Sequence, residues 1–96
     1  MKTPTTYRVP FGSATFSQII GVKVNVWEDA LEVTFADGLS FLADHEEIRK
    51  ANRIKGRPAV KEVFLDEHGI GFDISYVDGQ HAEVSWSFVR ELPPKS

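Results

Sequence analysis

Apolar and polar side chains alternate along two stretches of this chain, and the second stretch repeats the first. Residues 31–38 read Leu-Glu-Val-Thr-Phe-Ala-Asp-Gly and residues 72–79 read Phe-Asp-Ile-Ser-Tyr-Val-Asp-Gly, which match in chemical kind at every position. The same offset aligns residues 48–49 with residues 89–90, an apolar–Arg pair in both places. Alternation alone would align apolar with apolar residues, but it would not also align both Asp-Gly pairs. The pattern therefore indicates an internal duplication.

Each copy contains three runs of β-branched and aromatic residues with the period of two that is typical of strands. The runs are residues 21–27, 31–35, 39–43, 60–66, 70–76 and 80–85. A three-residue loop at each Asp-Gly pairs Phe35 with Leu39 in the first copy, and it collects apolar side chains on one face. A two-residue loop would place apolar side chains opposite polar ones. We therefore predict antiparallel hairpins with a positive φ at Gly38 and Gly79.

A helical segment follows the third strand of each copy. Asp44 is a suitable N-cap for a helix over 45–52, where acidic residues come first and basic residues last, as the helix dipole favours. Ser85 is the equivalent cap for a shorter turn over 86–92, which two prolines end.

These elements predict an α+β fold made of two β-β-β-α halves, residues 22–51 and 63–92. A pseudo-twofold axis would relate the halves, with one helix and one short helical turn packed on the apolar face of antiparallel sheet. Residues 21–96 would form a single domain. Residues 1–20 lie outside the repeat and are expected to form an N-terminal arm and one added strand.

Composition narrows the class of protein. The chain has 96 residues, of which 42% are hydrophobic, enough for a single core without disulfides or metal. It has no cysteine, which excludes thiolate zinc sites, cysteine nucleophiles and a disulfide scaffold. Since no apolar run reaches ~18–20 residues and the start has no apolar signal core, we expect no membrane contact and a cytoplasmic location.

The polar face of the predicted hairpins is the first candidate site. Its members are Thr34, Ser40, Ser75, His81 and Glu83. A histidine beside hydroxyl groups is the minimum for nucleophilic catalysis. Serine and histidine on a solvated sheet face are, however, usually only hydrated. His45 beside two glutamates lacks the i, i+4 spacing that binds one metal, so we expect it on the helix surface. We therefore expect no catalytic residue, no metal ligand, no cofactor and no enzymatic activity.

Charge supplies the second candidate. The net charge is −3, yet residues 48–61 contain six basic residues and no acidic one. These candidate interaction residues are Arg49, Lys50, Arg53, Lys55, Arg57 and Lys61. They form either a solvated loop or a site for an acidic partner, and we favour another protein as that partner. The acidic total and the lack of aromatic residues in 48–61 argue against nucleic acid.

Four segments carry a resemblance to a known family. They are the strand with its Asp-Gly turn at 31–38, the apolar–Arg pair at 48–49, the turn at 78–81 and the Trp-containing segment at 85–92. Over residues 22–92 the chain resembles the gamma-butyrobetaine-hydroxylase-like N-terminal domain. In the hydroxylases that domain precedes an iron/2-oxoglutarate dioxygenase domain and binds zinc through Cys and His. It also occurs alone or attached to iron–sulfur scaffold ATPases.

The departures from that family limit what the resemblance implies. Without cysteine the zinc ligands cannot be carried over, and Gln80 separates Gly79 from His81, where the family tends to place His directly after Gly. Without a second domain in this sequence the oxygenase activity cannot be carried over either. The resemblance then implies the fold and an accessory or interaction role. The strand–Asp-Gly pattern is also similar to small bacterial domains found in toxin–antitoxin-like operons.

The sequence is compatible with three functions. The first is a non-enzymatic protein-interaction module, acting as a monomer or as a homodimer that pairs strand edges at 22–27 or 60–66. The second is a small inhibitor or antitoxin whose acidic body, residues 62–96, covers a basic partner. The third is a small-molecule or metal-binding domain that uses His81.

Overall fold

The computed structural model describes residues 16–92, which form two three-stranded antiparallel sheets and two short helices. The elements are β1 (Ile19–Asn25), β2 (Ala30–Phe35), β3 (Ser40–Asp44), α1 (His45–Ala51), β4 (Val60–Leu65), β5 (Gly71–Tyr76), β6 (His81–Ser85) and α2 (Trp86–Glu91). The strand order is β1-β2-β3 in one sheet and β4-β5-β6 in the other. This is the predicted α+β fold with two repeated halves. Within residues 16–92, neither helix has the length and apolarity that a membrane span requires.

The duplication extends to irregularities of the backbone. Each strand of the second half begins 41 positions after its counterpart, from 19 to 60, from 30 to 71 and from 40 to 81. Both first strands also contain a register shift at the same point, between Ile19 and Gly21 in β1 and between Val60 and Glu62 in β4. The two halves therefore share their backbone design as well as their hydrophobic pattern.

The first strand begins earlier than the alternation predicted. β1 covers Ile19–Asn25 rather than 21–27, so it starts inside the segment expected to be an arm and stops before Val26 and Trp27. These two residues lie in the β1–β2 turn because the strand has already paired its last residue, Asn25, with Ala30. The rest of the expected arm, residues 1–15, lies outside the described residues.

Both hairpins have the predicted three-residue loop. The N–H of Phe35 donates to the carbonyl oxygen of Leu39 at 2.9 Å, and the equivalent bond in the second hairpin is 3.0 Å. Gly38 and Gly79 have φ values of 91° and 93°, which only glycine adopts without strain. The Asp37 carboxylate accepts the N–H of Leu39 at 3.1 Å, which is the main reason that the pKa of Asp37 is lowered. The register and the glycine conformations are confirmed.

One hydrophobic core lies between the two sheets and takes residues from both. Its buried members are Ile19, Leu31, Val33, Phe35, Ala43, Ile48, Phe72, Ile74, Tyr76, Ala82, Val84 and Val89. Because the buried positions alternate along β2 and β5, each sheet turns one face inward and the other toward water, as antiparallel sheets commonly do.

Each helix packs on the sheet of the opposite half as well as on its own. Helix α1 contacts β6, and α2 contacts β3. The guanidinium of Arg90 on α2 lies 4.7 Å above the Phe35 ring and 4.8 Å above the Phe41 ring, and it forms a 3.2 Å ion pair with Asp37. Cation–π contacts of this kind favour the charged side chain over an aromatic face. The helices thus connect the two halves.

The line where β1 meets β4, which we call the seam, is closed at one end. There the N–H of Ile19 donates to the carbonyl oxygen of Gly69 at 2.9 Å. Gly69 has φ 69°, and a Cβ on it would lie 2.7 Å from the carbonyl oxygen of Ile19. At the other end of the seam, the pseudo-equivalent residues Val60 and Glu28 share no backbone hydrogen bond among those found in residues 16–92. That end is open.

Candidate functional site

A pocket with a volume of about 690 Å³ occupies the open end of the seam, and we call it the seam pocket. Its walls come from the end of β1, the β1–β2 turn and β4, and they include Val24, Val26, Val60 and Val63. The polar lining consists of Asp29, His45 and Arg49, of Arg57 ahead of β4, and of Lys61 and Glu62 in β4. The pocket therefore combines apolar walls with a set of charged groups.

A four-residue charge cluster forms the polar side of this pocket. Arg49 Nη1 and Nη2 donate to the two carboxylate oxygens of Asp29 at 3.1 and 2.7 Å, and Nη2 also reaches Glu46 Oε1 at 2.7 Å. Arg57 Nη2 donates to Asp29 Oδ2 at 3.0 Å. We call Asp29, Glu46, Arg49 and Arg57 the Asp29 cluster. Its two carboxylates and two guanidinium groups balance in formal charge.

The hydrogen bonds of the Asp29 cluster fix its protonation states. Hydrogen bonding from Arg49 lowers the pKa of Asp29 and also that of Glu46. The same bonds raise the pKa of Arg49, with the bond to Asp29 making the largest contribution. Asp29 itself has φ 52°, a left-handed backbone conformation that aspartate tolerates better than most residues. The cluster is thus fully charged near neutral pH.

His45 lies against the cluster and is buried, with 5% of its surface exposed. Its Nε2 is hydrogen-bonded to Tyr76 Oη at 2.9 Å, and its Nδ1 lies 3.6 Å from Asp29 Oδ1. The expectation of a surface histidine was wrong. The N–H of His45 donates to the carbonyl oxygen of Asp29 at 3.0 Å, which ties the β3–α1 junction to the β1–β2 turn above the core.

Asp29, His45 and Tyr76 follow one another in the order that orients a base toward a hydroxyl, but the 3.6 Å between His45 Nδ1 and Asp29 Oδ1 is too long for a hydrogen bond. With the proton on Nδ1, which faces Asp29, Nε2 accepts the hydroxyl proton of Tyr76. Tyr76, however, is only 1% exposed, and burial raises the pKa of its phenol. A substrate therefore has no access to the hydroxyl, and the three residues serve to hold the side of the pocket in place. Within residues 16–92, no three His, Cys, Asp or Glu side chains are grouped so that they could hold a metal ion.

The buried histidine predicts a pH-dependent stability. Burial, followed by the charge of Arg49, lowers the pKa of His45 below 6.5, so the unfolded chain binds this proton more readily than the folded protein. The neutral imidazole therefore stabilises the fold fully above pH 6.5, and the free energy of unfolding should fall as the pH drops below that value. Asp44, Asp29, Arg49 and Arg57 all act on this ring electrostatically.

Urea denaturation at a series of pH values from neutral to weakly acidic measures the effect. In the His45→Gln variant this part of the pH dependence should vanish, because glutamine does not titrate. The matched control is His81→Gln, since His81 is exposed and lies outside the pocket. An unchanged pH dependence in His45→Gln would contradict the assignment to His45.

The structure divides the six basic candidates. Arg49 is 4% exposed and engaged in the Asp29 cluster, so it is not available to a partner. The remaining candidates are all exposed, namely Lys50, Arg53, Lys55, Arg57 and Lys61. The main-chain N–H and C=O of Lys55 are held by the side chain of Gln80 at 2.8 and 2.9 Å. The segment 52–59, which we call the connector, is therefore tied to the second half with its basic side chains exposed.

The five polar-face candidates lie on the sheet faces that point away from the core, as predicted. Ser40, His81 and Glu83 are exposed, whereas Thr34 and Ser75 are half-buried. Thr34 and Ser40 are hydrogen-bonded through their hydroxyl oxygens at 3.2 Å. None of the five lines the seam pocket, so the structure does not bring them into one site with the basic residues.

The β1–β2 turn supplies site residues that sequence reasoning missed. Trp27 is 97% exposed and Val26, which lines the seam pocket, is 82% exposed. The turn is ordered by the N–H of Glu28, which donates to Asn25 Oδ1 at 3.0 Å. The hydrophobic pattern placed Val26 and Trp27 in a strand, and an Asp at the end of the turn was the only sign of a left-handed residue there.

Comparisons of the chain with protein-family models, with curated proteins and with solved structures found no match. The resemblance to the gamma-butyrobetaine-hydroxylase-like N-terminal domain therefore stays a prediction. The function of the chain is inferred from the geometry of the seam pocket and from the charges around it.

Proposed function

We propose that this chain is a non-catalytic protein-interaction module that binds an acidic segment of a partner protein at the seam pocket. The observation that carries the proposal is Trp27, which is 97% exposed in the ordered β1–β2 turn, next in the chain to Val26, which lines the seam pocket. Tryptophan is enriched among the residues that dominate binding energy at protein interfaces. Large apolar side chains held together on the surface commonly mark such interfaces.

The charges around the pocket favour an acidic partner. Arg57 is 70% exposed at its side chain, and Lys61, which also lines the pocket, is exposed. The connector adds Arg53 and Lys55, and it contains no acidic residue. Charges placed at an interface rim in this way steer association and select partners of opposite sign. Arg57 also neutralises the Asp29 cluster, and Glu62 lines the pocket next to Lys61, so the excess positive charge at this rim comes from Arg53 and Lys55.

The apolar walls favour a segment that also carries an apolar side chain. The pocket volume of about 690 Å³ lies within the ~300–1,000 Å³ range of pockets that enclose small ligands. The valines of the two strands (Val24, Val60 and Val63) and Val26 of the turn can surround an aliphatic or aromatic side chain, while its acidic neighbours meet Arg57 and Lys61. We expect the partner segment to contain an apolar residue flanked by Asp or Glu.

A displayed random-peptide library selected on the purified protein tests the proposal. We expect enrichment of peptides with that composition, and their affinity, measured by fluorescence anisotropy, should weaken as salt is raised. Trp27→Ala should weaken binding about tenfold or more, as the loss of an interface anchor does. Arg57→Ala should reduce both the affinity and its salt dependence.

The control is Phe64→Ala, which removes a half-exposed aromatic side chain that lies in β4, outside the β1–β2 turn. It should leave the affinity unchanged. Enrichment of basic peptides would instead support an inhibitor that uses the acidic residues 62–96. Equal binding by Trp27→Ala and the unmodified protein would overturn the proposal.

A further inference from the structure

The outer edge of β6 is covered by side chains of the same molecule. Asn52 Oδ1 accepts the N–H of Glu83 at 2.9 Å, and Asn52 Nδ2 donates to the carbonyl oxygen of Glu83 at 3.2 Å. The side-chain amide thus takes the place of a neighbouring strand. The side chain of Gln80 adds its two bonds to the main chain of Lys55. Such covering removes the unpaired N–H and C=O groups through which an edge strand recruits another chain.

The duplicated edge, on β3, lacks these covering groups. By the offset of the duplication, Leu42 is the counterpart of Glu83. The counterpart of Asn52 is a proline and that of Gln80 is Leu39, and neither has a side-chain amide. The N–H of Phe35 donates to the carbonyl oxygen of Leu39, so the main chain of Leu39 faces β2. Main-chain groups of successive residues in a strand point to alternate sides, and those of Leu42 therefore point away from β2. Among residues 16–92 no backbone group outside the sheet is hydrogen-bonded to the main chain of Leu42.

We propose that β3 pairs antiparallel with β3 of a second copy of this chain, which joins the two β1-β2-β3 sheets into one continuous six-stranded sheet. Pairing centred on Leu42 places each Leu42 opposite its counterpart and Ser40 opposite Asp44. The Asp44 carboxylate, which already accepts the N–H of Glu46 as the cap of α1, faces a neutral serine, so no like charges face each other across the pair. The strand is thus complementary to itself.

The side chain of Leu42 supports a second copy rather than an unrelated strand. It is the one large apolar residue on the polar face of β2 and β3, where its neighbours are Glu32, Thr34 and Ser40. In the isolated chain it is only half-buried. In the paired arrangement the two Leu42 side chains contact each other, which accounts for an apolar residue on that face.

The other edges are less suited to pairing. Strands β1 and β4 meet at the seam, and each has its register shift at an edge residue, Ile20 in β1 and Lys61 in β4, which disrupts the ladder for a further strand. The edge of β6 is covered. The strand order places β1 on the far side of β2 from β3, and no residue of β3 lines the seam pocket, so the dimer contact uses other residues than the pocket and does not depend on the proposed function.

Sedimentation equilibrium over a wide range of protein concentration tests the proposal. The unmodified protein should form dimers that dissociate on dilution, and Leu42→Lys should raise the dimer dissociation constant about tenfold or more. The control is Leu39→Lys, which changes an equally apolar residue whose main chain faces β2, and it should dimerise as before. Circular dichroism shows whether both variants are folded.

Amide hydrogen exchange locates the contact even if Leu42→Lys fails to fold. In the unmodified protein, exchange of the Leu42 N–H should slow as the concentration rises through the dimerisation range, whereas that of the already covered Glu83 N–H should not change. A monomer at all concentrations would overturn the proposal. A dimer in which Leu42 exchange does not respond to concentration would overturn it as well.

Discussion

Replacing Gly69 with alanine should lower the free energy of unfolding by about 3 kcal/mol or more, since overpacking costs ~1–3 kcal/mol and a left-handed non-glycine residue ~1–2 kcal/mol. Gly69 has φ 69°, and its added Cβ would lie 2.0 Å from Gln18 Cγ, 2.7 Å from the Ile19 carbonyl oxygen and 2.9 Å from the Ile19 nitrogen. Two of these are backbone atoms, which cannot move aside as a flexible side chain can. The closed end of the seam would have to separate.

Gly79→Ala is the matched control for this prediction. Gly79 also has a positive φ, 93°, but nothing lies within 4 Å of its added Cβ. Only the conformational strain applies there, so a loss of about 1–2 kcal/mol is expected. Urea denaturation of both variants measures the difference, and exchange of the Ile19 N–H should become faster only in Gly69→Ala. Equal losses of stability in the two variants would show that the seam tolerates the methyl group.

Replacing Asp29 with asparagine should lower the free energy of unfolding by about 2–3 kcal/mol. Removing one partner of a fully buried ion pair costs ~3–5 kcal/mol, and the value here is reduced because the Asp29 side chain is 36% exposed and Glu46 still pairs with Arg49. Asparagine also adopts positive φ readily, so the turn keeps its conformation. The loss of stability then measures the cost of leaving the Arg49 guanidinium, whose side chain is 5% exposed, without its Asp29 partner.

The pH dependence and a control variant identify the cause. Because the pKa of Asp29 is lowered from 3.8, its contribution is present above that pH and is lost as the pH falls below it. The difference between Asp29→Asn and the unmodified protein should therefore shrink in acid. Glu47→Gln, which removes an exposed 3.9 Å contact with Lys50, should change stability by no more than ~0.5 kcal/mol. A difference that persists unchanged in acid would contradict the assignment to the carboxylate.

The hairpins could be predicted from the sequence because their determinants are local. An Asp-Gly pair, a left-handed glycine and the alternation on both sides of it fix the register within a few residues, and the structure has that register in both halves. The repeat then extended the inference from one half to the other. The cap at Asp44 was equally local, and its side chain accepts the N–H of Glu46 as predicted.

The candidate site could not be predicted because its determinants are far apart in the chain. Asp29 and Arg49 are separated by 20 residues, and His45 and Tyr76 by 31. Only the packing of one half against the other brings His45 to Tyr76, and it converts a histidine expected in water into a buried one. The sequence showed the run of basic residues, but it could not show that Arg49 is buried, because that depends on its pairing with Asp29, a distant residue that no local pattern singles out.

Each helix packs on the sheets of both halves, and this has a consequence for how the protein unfolds. Helix α1 contacts β6 and α2 contacts β3, so each sheet is completed by an element from the other repeat. Repeat proteins whose units contact only their neighbours can lose one unit at a time, with stability that is a sum over units. Here the loss of either repeat exposes the apolar face of the other. We therefore expect the two repeats to unfold as one cooperative unit in a single transition, and neither half to be stable alone.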